Sequence, residues 1–137
     1  MSEALVTHPL LTCSEALTFE QSFLGDDAEA EWQAMNEAGV GVADSLLRDM
    51  RELRTIPHRP RFLFLVGKGH NGGDALVAAK RLLRSIPTAR ASLWPVEPWE
   101  SCKPNVQRAR DELLELAAKR VEELEPISTL ASPEHIE

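Results

Sequence analysis

Apolar and polar positions along the chain change period several times, and each change marks an element. From about Ala28 to Leu53, apolar residues fall at Trp32, Met35, Val42, Leu46, Met50 and Leu53, with charges on the other side. That three-and-four spacing predicts one long amphipathic helix. Ahead of it, Thr12 and Glu15 stand at capping-box spacing before a helical stretch to about Leu24, which Gly25-Asp26-Asp27 breaks. Residues 1–11 read as an extended lead-in. Pro57 and Pro60 bracket a connector, after which Phe62-Leu63-Phe64-Leu65-Val66 is apolar on both faces, as suits a parallel strand buried between two helical layers. A helix over about Gly73 to Arg84 is expected next, with Leu76, Val77, Ala79 and Leu83 toward the sheet and Lys80, Arg81 and Arg84 toward water. Pro87 ends it. Ala89 to Trp94 suits a second strand, and Val106, Ala109, Leu113, Leu116, Val121 and Leu124 mark a long third helix that Pro126 stops. Ile127 to Ala131 is a third strand or a tail.

This order predicts an α/β fold, a Rossmann-like three-layer αβα arrangement with a mostly parallel sheet, preceded by N-terminal helices. The 137 residues suit one core. All seven glycines lie between Gly25 and Gly73, although further strand-to-helix turns of such a fold would use some. The expectation is therefore an incomplete fold, with residues 1–137 as the N-terminal portion of a single domain. Gly39 and Gly41, inside the long helix, each cost about 1 kcal/mol relative to Ala, which suggests that something lies flat against them.

Composition narrows the function classes. A net charge of -7 and a pI near 5.1, with no basic cluster, argue against nucleic acid as a partner. Cys13 and Cys102 lack metal-site or disulfide spacing and read as two reduced thiols. The first residues carry neither the basic start nor the apolar run of a signal peptide, and no stretch is apolar enough for a membrane span. A cytoplasmic protein with a small-molecule ligand is the expectation.

The candidate chemistry sits at Gly67-Lys68-Gly69-His70-Asn71-Gly72-Gly73-Asp74, between a strand and a helix at the carboxyl edge of the sheet, where open α/β sheets bind ligands. Glycines permit positive φ and close approach of a ligand to main-chain amides, and the first helical turn offers unpaired N–H groups to a phosphate. Asp74 either caps the helix or hydrogen-bonds a ribose or nicotinamide group, and the Asn71 amide oxygen is a hard ligand suited to an alkali cation. A P-loop is excluded, because that motif needs Lys-Ser or Lys-Thr after its last glycine and Gly73 is followed by Asp74. Gly67, Gly69 and Gly72 spell the dinucleotide fingerprint GxGxxG, with Glu97 as a loosely placed ribose acid, but that fingerprint leaves the Asn-Gly-Gly-Asp cluster unexplained.

FLFLVGKGHNGGDALVAAKRL closely resembles the strand, GPGNNGGDG-type loop and helix of the YjeF N-terminal domain family, whose enzymes are NAD(P)H-hydrate epimerases. EWQAMNEAGVGVADSLL, with Met35 and then Ala38-Gly39, resembles the helix before that strand. The resemblance implies repair of NADH or NADPH hydrated at C6 of the nicotinamide ring, by interconversion of the R and S epimers. It implies that His70, Asn71, Gly72, Gly73 and Asp74 bind this nucleotide substrate, that Asn71 supplies one ligand of a potassium ion, and that the long helix serves a homodimer.

This chain departs from the family's loop: His70 replaces its first Asn, Lys68 its Pro and Ala75 the Gly after Asp74. The family's second glycine-rich loop, its potassium-binding Asp and its later Asp with Pro-Ser-Gly have no counterpart, so the resemblance puts the catalytic residues beyond Glu137 and implies a fragment. Two other readings stay open: a non-catalytic binding module of the same fold, and a fragment of an NAD(P)-dependent oxidoreductase. A C-terminal ADP- or ATP-dependent dehydratase domain, as in bifunctional relatives, is a further possibility for the parent protein.

Overall fold

The computed structural model describes residues 10–53 and 55–130. Helix α1 (Cys13–Leu24) opens with the expected capping box: Thr12 Oγ1 accepts from the Glu15 amide, and the Glu15 carboxylate accepts from the Thr12 amide at 2.8 Å. Gly25, at φ 56°, turns the chain out of the helix, and Asp27 Oδ1 then accepts from the amides of Glu29 and Ala30 to start α2 (Ala28–Leu53). Strand β1 (Arg61–Val66), α3 (His70–Ser85), β2 (Arg90–Pro95), α4 (Pro104–Ala117), β3 (Val121–Glu123) and the single helical turn α5 (Ile127–Leu130) follow. Residues 1–9 of the expected lead-in and Ala131 of the expected tail lie outside the described residues.

The sheet is parallel with order β1-β2-β3, paired from Arg61↔Arg90 to Val66↔Pro95 and from Ala91↔Val121 to Leu93↔Glu123. Because the strands advance in one direction, crossovers of one hand put α3 and α4 on the same face, and the two helices pack together. Phe62, Phe64, Val66, Ala91 and Leu93 point into that layer, joined by Leu76, Val106 and Leu113 in the core. The α/β class and parallel sheet are as expected. The burial expected on both faces of β1 is not found: Leu63 and Leu65 are 58% and 61% exposed, since the described residues place no helix over that face.

Two helices differ from the hydrophobic pattern. In α2 the buried positions are Trp32, Met35, Gly39, Ala43 and Leu47, whereas Val42, Leu46 and Leu53 are exposed. Small residues at 39 and 43 let α2 approach α3, so the contact face follows Gly39 and Ala43 and turns the larger Val42 and Leu46 outward. Ala43 and Leu47 pack with Ala78 and Leu82 in a second cluster. Helix α4 does not run to Leu124; it stops at Ala117. The Nη1 of Arg120 then donates to the carbonyls of Leu83, Ile86 and Ala89, pinning the chain as it returns to the sheet, and Val121 enters β3. The segment Ile127–Leu130 is helical and not a strand.

Candidate functional site

The loop after β1 is shorter than the sequence suggests. Only Gly67, Lys68 and Gly69 turn the chain, and α3 begins at His70 with Gly69 as its N-cap. Asp74 therefore lies inside the helix and does not cap it. None of the loop glycines has positive φ; Gly25 alone does among the described residues. Their role is close approach. A Cβ on Gly72 would overlap the carbonyl of Gly67, and one on Gly73 would overlap the Met35 thioether. On α2, a Cβ on Gly39 would stand 2.7 Å from the Asp74 carbonyl oxygen, so the backbones of α2 and α3 nearly touch. Gly41, by contrast, has open space around it. The Met35–Gly39 segment and the Asn71–Asp74 segment are thus the two faces of one contact.

That contact places His70, Asn71 and Asp74 along a groove of about 340 Å³ between α1, α2 and the start of α3. The groove is mostly apolar with a few convergent polar groups, as small-molecule sites are. Burial pushes the Asp74 carboxyl up, and the neighbouring His70 partly offsets this. A second hollow is bounded by Gly67, Gly69, His70, Asn71, Gly72 and Lys103. Gly72 and Gly73 bind the Gly69 carbonyl through their amides, and the first-turn dipole of α3 faces this hollow, which suits an anionic group. Asn71 lines both spaces.

Two residues missed by the sequence reading hold His70, and a third holds one of them. Its Nε2 lies 2.5 Å from Glu31 Oε1 on α2 and 3.1 Å from Lys103 Nζ. The other oxygen of Glu31 accepts from Asn105 Nδ2 at 2.7 Å, and the same amide donates to the Ala28 carbonyl at 3.1 Å. Asn105 is the buried polar side chain of α4. Glu31 precedes Met35 by one helical turn, so its position facing the loop follows once the α2 face is known. Lys103 and Asn105 had no signal of this kind, because the contact spans more than 30 residues. Lys68 is exposed, and its carbonyl accepts from the Lys103 amide.

No group of three or more His, Cys, Asp or Glu among the described residues could hold a metal ion. For a hard alkali cation the donor set is different: the Asn71 amide is exposed at the rim, and among the described residues it makes no side-chain hydrogen bond, so its oxygen fits as one ligand. No described helix is long and apolar enough to cross a membrane.

Comparisons with known proteins agree with this fold. Over 73 residues the chain is 36% identical to the NAD(P)H-hydrate epimerase of Roseobacter litoralis, covering 53% of this chain and 31% of that protein. The crystal structure of yeast ynu0 superimposes with a TM-score of 0.63 at 20% identity, covering 85% of this chain and 47% of the yeast chain, which establishes the likeness of fold. This chain therefore spans less than half the length of either relative. The family model described as YjeF-related protein N-terminus matches residues 31–135, and the chain belongs to that family.

Proposed function

We propose that this chain is the N-terminal portion of a NAD(P)H-hydrate epimerase domain, acting on the R and S forms of NADH or NADPH hydrated at C6. The observation that carries the reading is the α2–α3 contact: Met35 against Gly73 and Gly39 against Asp74 bring the two family-like segments together and set Asn71 and Asp74 on one groove. The name of the Roseobacter relative supports the same activity. In the proposed reaction the ring nitrogen's lone pair helps expel the C6 hydroxyl, which leaves as water on taking a proton from an acid. Water then returns to the other face and gives the proton back. His70, Asn71, Gly72, Gly73 and Asp74 bind the hydrate, with Asp74 accepting from the ribose or the nicotinamide amide. Asn71 would hold a potassium ion, which supplies a fixed positive charge beside the substrate.

The unpaired thiols Cys13 and Cys102 suit the reducing cytoplasm, and the exposed Val42, Leu46 and Leu53 of α2 offer a face for a homodimer. The test follows R-to-S conversion of NADPH hydrate by the full-length protein, coupled to a dehydratase that consumes one epimer, with and without potassium. Acceleration over the spontaneous rate supports the proposal; a rate equal to the spontaneous one sinks it.

A further inference from the structure

The amino end of the sheet, opposite the glycine loop, gathers positive charge that the sequence scatters. Arg61 and Arg90 open β1 and β2 and are register partners. Because Phe62, Phe64, Ala91 and Leu93 take the helix-covered face, the pleat turns both arginine side chains to the other one. With Arg59 and Thr88 they line a hollow of about 560 Å³. An adjoining hollow of about 220 Å³ adds Lys119 and Arg120 to Arg61 and Arg90, with Ser92 and Glu122 at its wall. The backbone around the arginines is tied down: the Arg90 amide donates to the Pro60 carbonyl at 3.0 Å, and the Thr88 hydroxyl donates to the His58 carbonyl. Arg120 is held by the carbonyls of Leu83, Ile86 and Ala89, and the Glu122 carboxylate accepts from Ser92 Oγ at 3.1 Å. Arg59, Arg61 and Arg90 form no ion pair among the described residues, although the chain has 22 acidic residues to 15 basic ones.

Like charges opposite one another on neighbouring strands destabilise a sheet, and an anion shared between them removes that repulsion. Guanidinium forks match phosphate oxygens bidentately, and strands about 4.8 Å apart let two forks reach one phosphate group. A compact anion fits better than an extended one, because beyond this cluster a net charge of -7 repels a long polyanion such as nucleic acid. We propose that the Arg59–Arg61–Arg90 hollow is a binding site for a pyrophosphate group, free or carried by a nucleoside diphosphate, with one phosphate between Arg61 and Arg90 and the other toward Arg59. Strand β1 separates this site from the glycine loop by about 17 Å, and the inference stands apart from the hydrate-epimerase reading.

The experiment titrates the protein with pyrophosphate, orthophosphate and ADP at constant ionic strength, by calorimetry and by amide chemical shifts. Pyrophosphate is expected to bind about tenfold more tightly than orthophosphate and to shift the amides of Arg59, Arg61, Thr88 and Arg90. Arg61→Gln and Arg90→Gln should each weaken it about three- to tenfold. ADP that matches pyrophosphate shows that the phosphates alone are read; ADP bound more tightly, with the same shifts and the same dependence on the arginines, makes a nucleotide the source. Both exchanged side chains are exposed, and removing one of two like charges should leave the unfolding midpoint without anion unchanged or higher. Pyrophosphate should raise that midpoint in the parent by mass action, and by much less in Arg61→Gln/Arg90→Gln. Equal affinity for the two phosphates, binding that survives the double exchange, or shifts confined to the Gly67–Gly72 loop and lost in Lys103→Gln overturns the inference. The shift map of the parent decides between the two ends of the sheet even if a variant loses its fold.

Discussion

The Met35 thioether rests on the backbone of Gly73, so closely that a single added methyl group on that glycine would overlap the sulfur. The Asn71–Asp74 segment is therefore shaped as much by α2 as by its own loop.

Substitution of the glycines should rank accordingly. Gly72→Ala drives a Cβ into the Gly67 carbonyl, which is backbone and cannot swing aside, and a loss of about 3 kcal/mol or more is expected. Gly73→Ala meets the flexible end of Met35 and should cost about 1–3 kcal/mol. Gly41→Ala, in open space on the same helix as Gly39, should instead stabilise by about 0.5–1 kcal/mol. Urea denaturation of the three variants checks the order, and equal effects at positions 72 and 41 would refute the close-approach account.

Much of this was legible in the chain and some was not. The capping box at Thr12 and Glu15, the Gly25 break and the β1–loop–α3 unit depend on neighbours within a few residues, and local chemistry decided them. The face of α2 was misread because Val42 and Leu46 outrank Gly39 and Ala43 in hydrophobicity, while close packing against α3 favours the smaller pair. The helical period was carried past Ala117 because Val121 and Leu124 fit it, although Val121 pairs with Ala91 across the sheet. At the candidate site, Asn71 and Asp74 stand in a sequence motif, whereas the Asn105–Glu31–His70 chain joins three helices and has no local signature.

That chain can be cut at Asn105. Asn105→Ala removes a buried amide that serves both the Ala28 carbonyl and the Glu31 carboxylate, and a loss of about 1–3 kcal/mol is expected by denaturant titration. Because Glu31 then loses one of its two anchors, the His70 ring should also reorient, seen as a shift of its imidazole signals by NMR. Unchanged signals would show that Lys103 or the backbone fixes the ring without Glu31.

Asp74 predicts a pH signature. Its carboxyl titrates above the usual carboxylate value in the folded chain because burial disfavours the charge, so the native state holds that proton more tightly than the unfolded state does. The resulting destabilisation is absent below the unfolded value, grows as pH rises from there through the folded value, and persists at neutral pH. Asp74→Asn should remove this component, raising the midpoint of thermal unfolding at pH 7 relative to the parent while leaving it little changed near pH 3. The same exchange should weaken hydrate binding, since an amide replaces the accepting carboxylate. A variant no more stable at pH 7 than the parent contradicts the desolvation account.

Potassium can be tested at Asn71 without any turnover. An ion that binds the folded chain alone stabilises it by RT ln(1 + [L]/Kd), so potassium chloride should raise the unfolding midpoint above that in choline chloride of equal ionic strength. Asn71→Ala removes the amide oxygen from the rim of the groove and should abolish that difference, with little change in choline, because the side chain is exposed and makes no hydrogen bond among the described residues. Asn71→Asp keeps a hard oxygen at the same place and adds charge, so the potassium effect should survive or grow. A midpoint difference that persists in Asn71→Ala would move the ion away from this residue, and no difference in the parent chain would remove the site altogether.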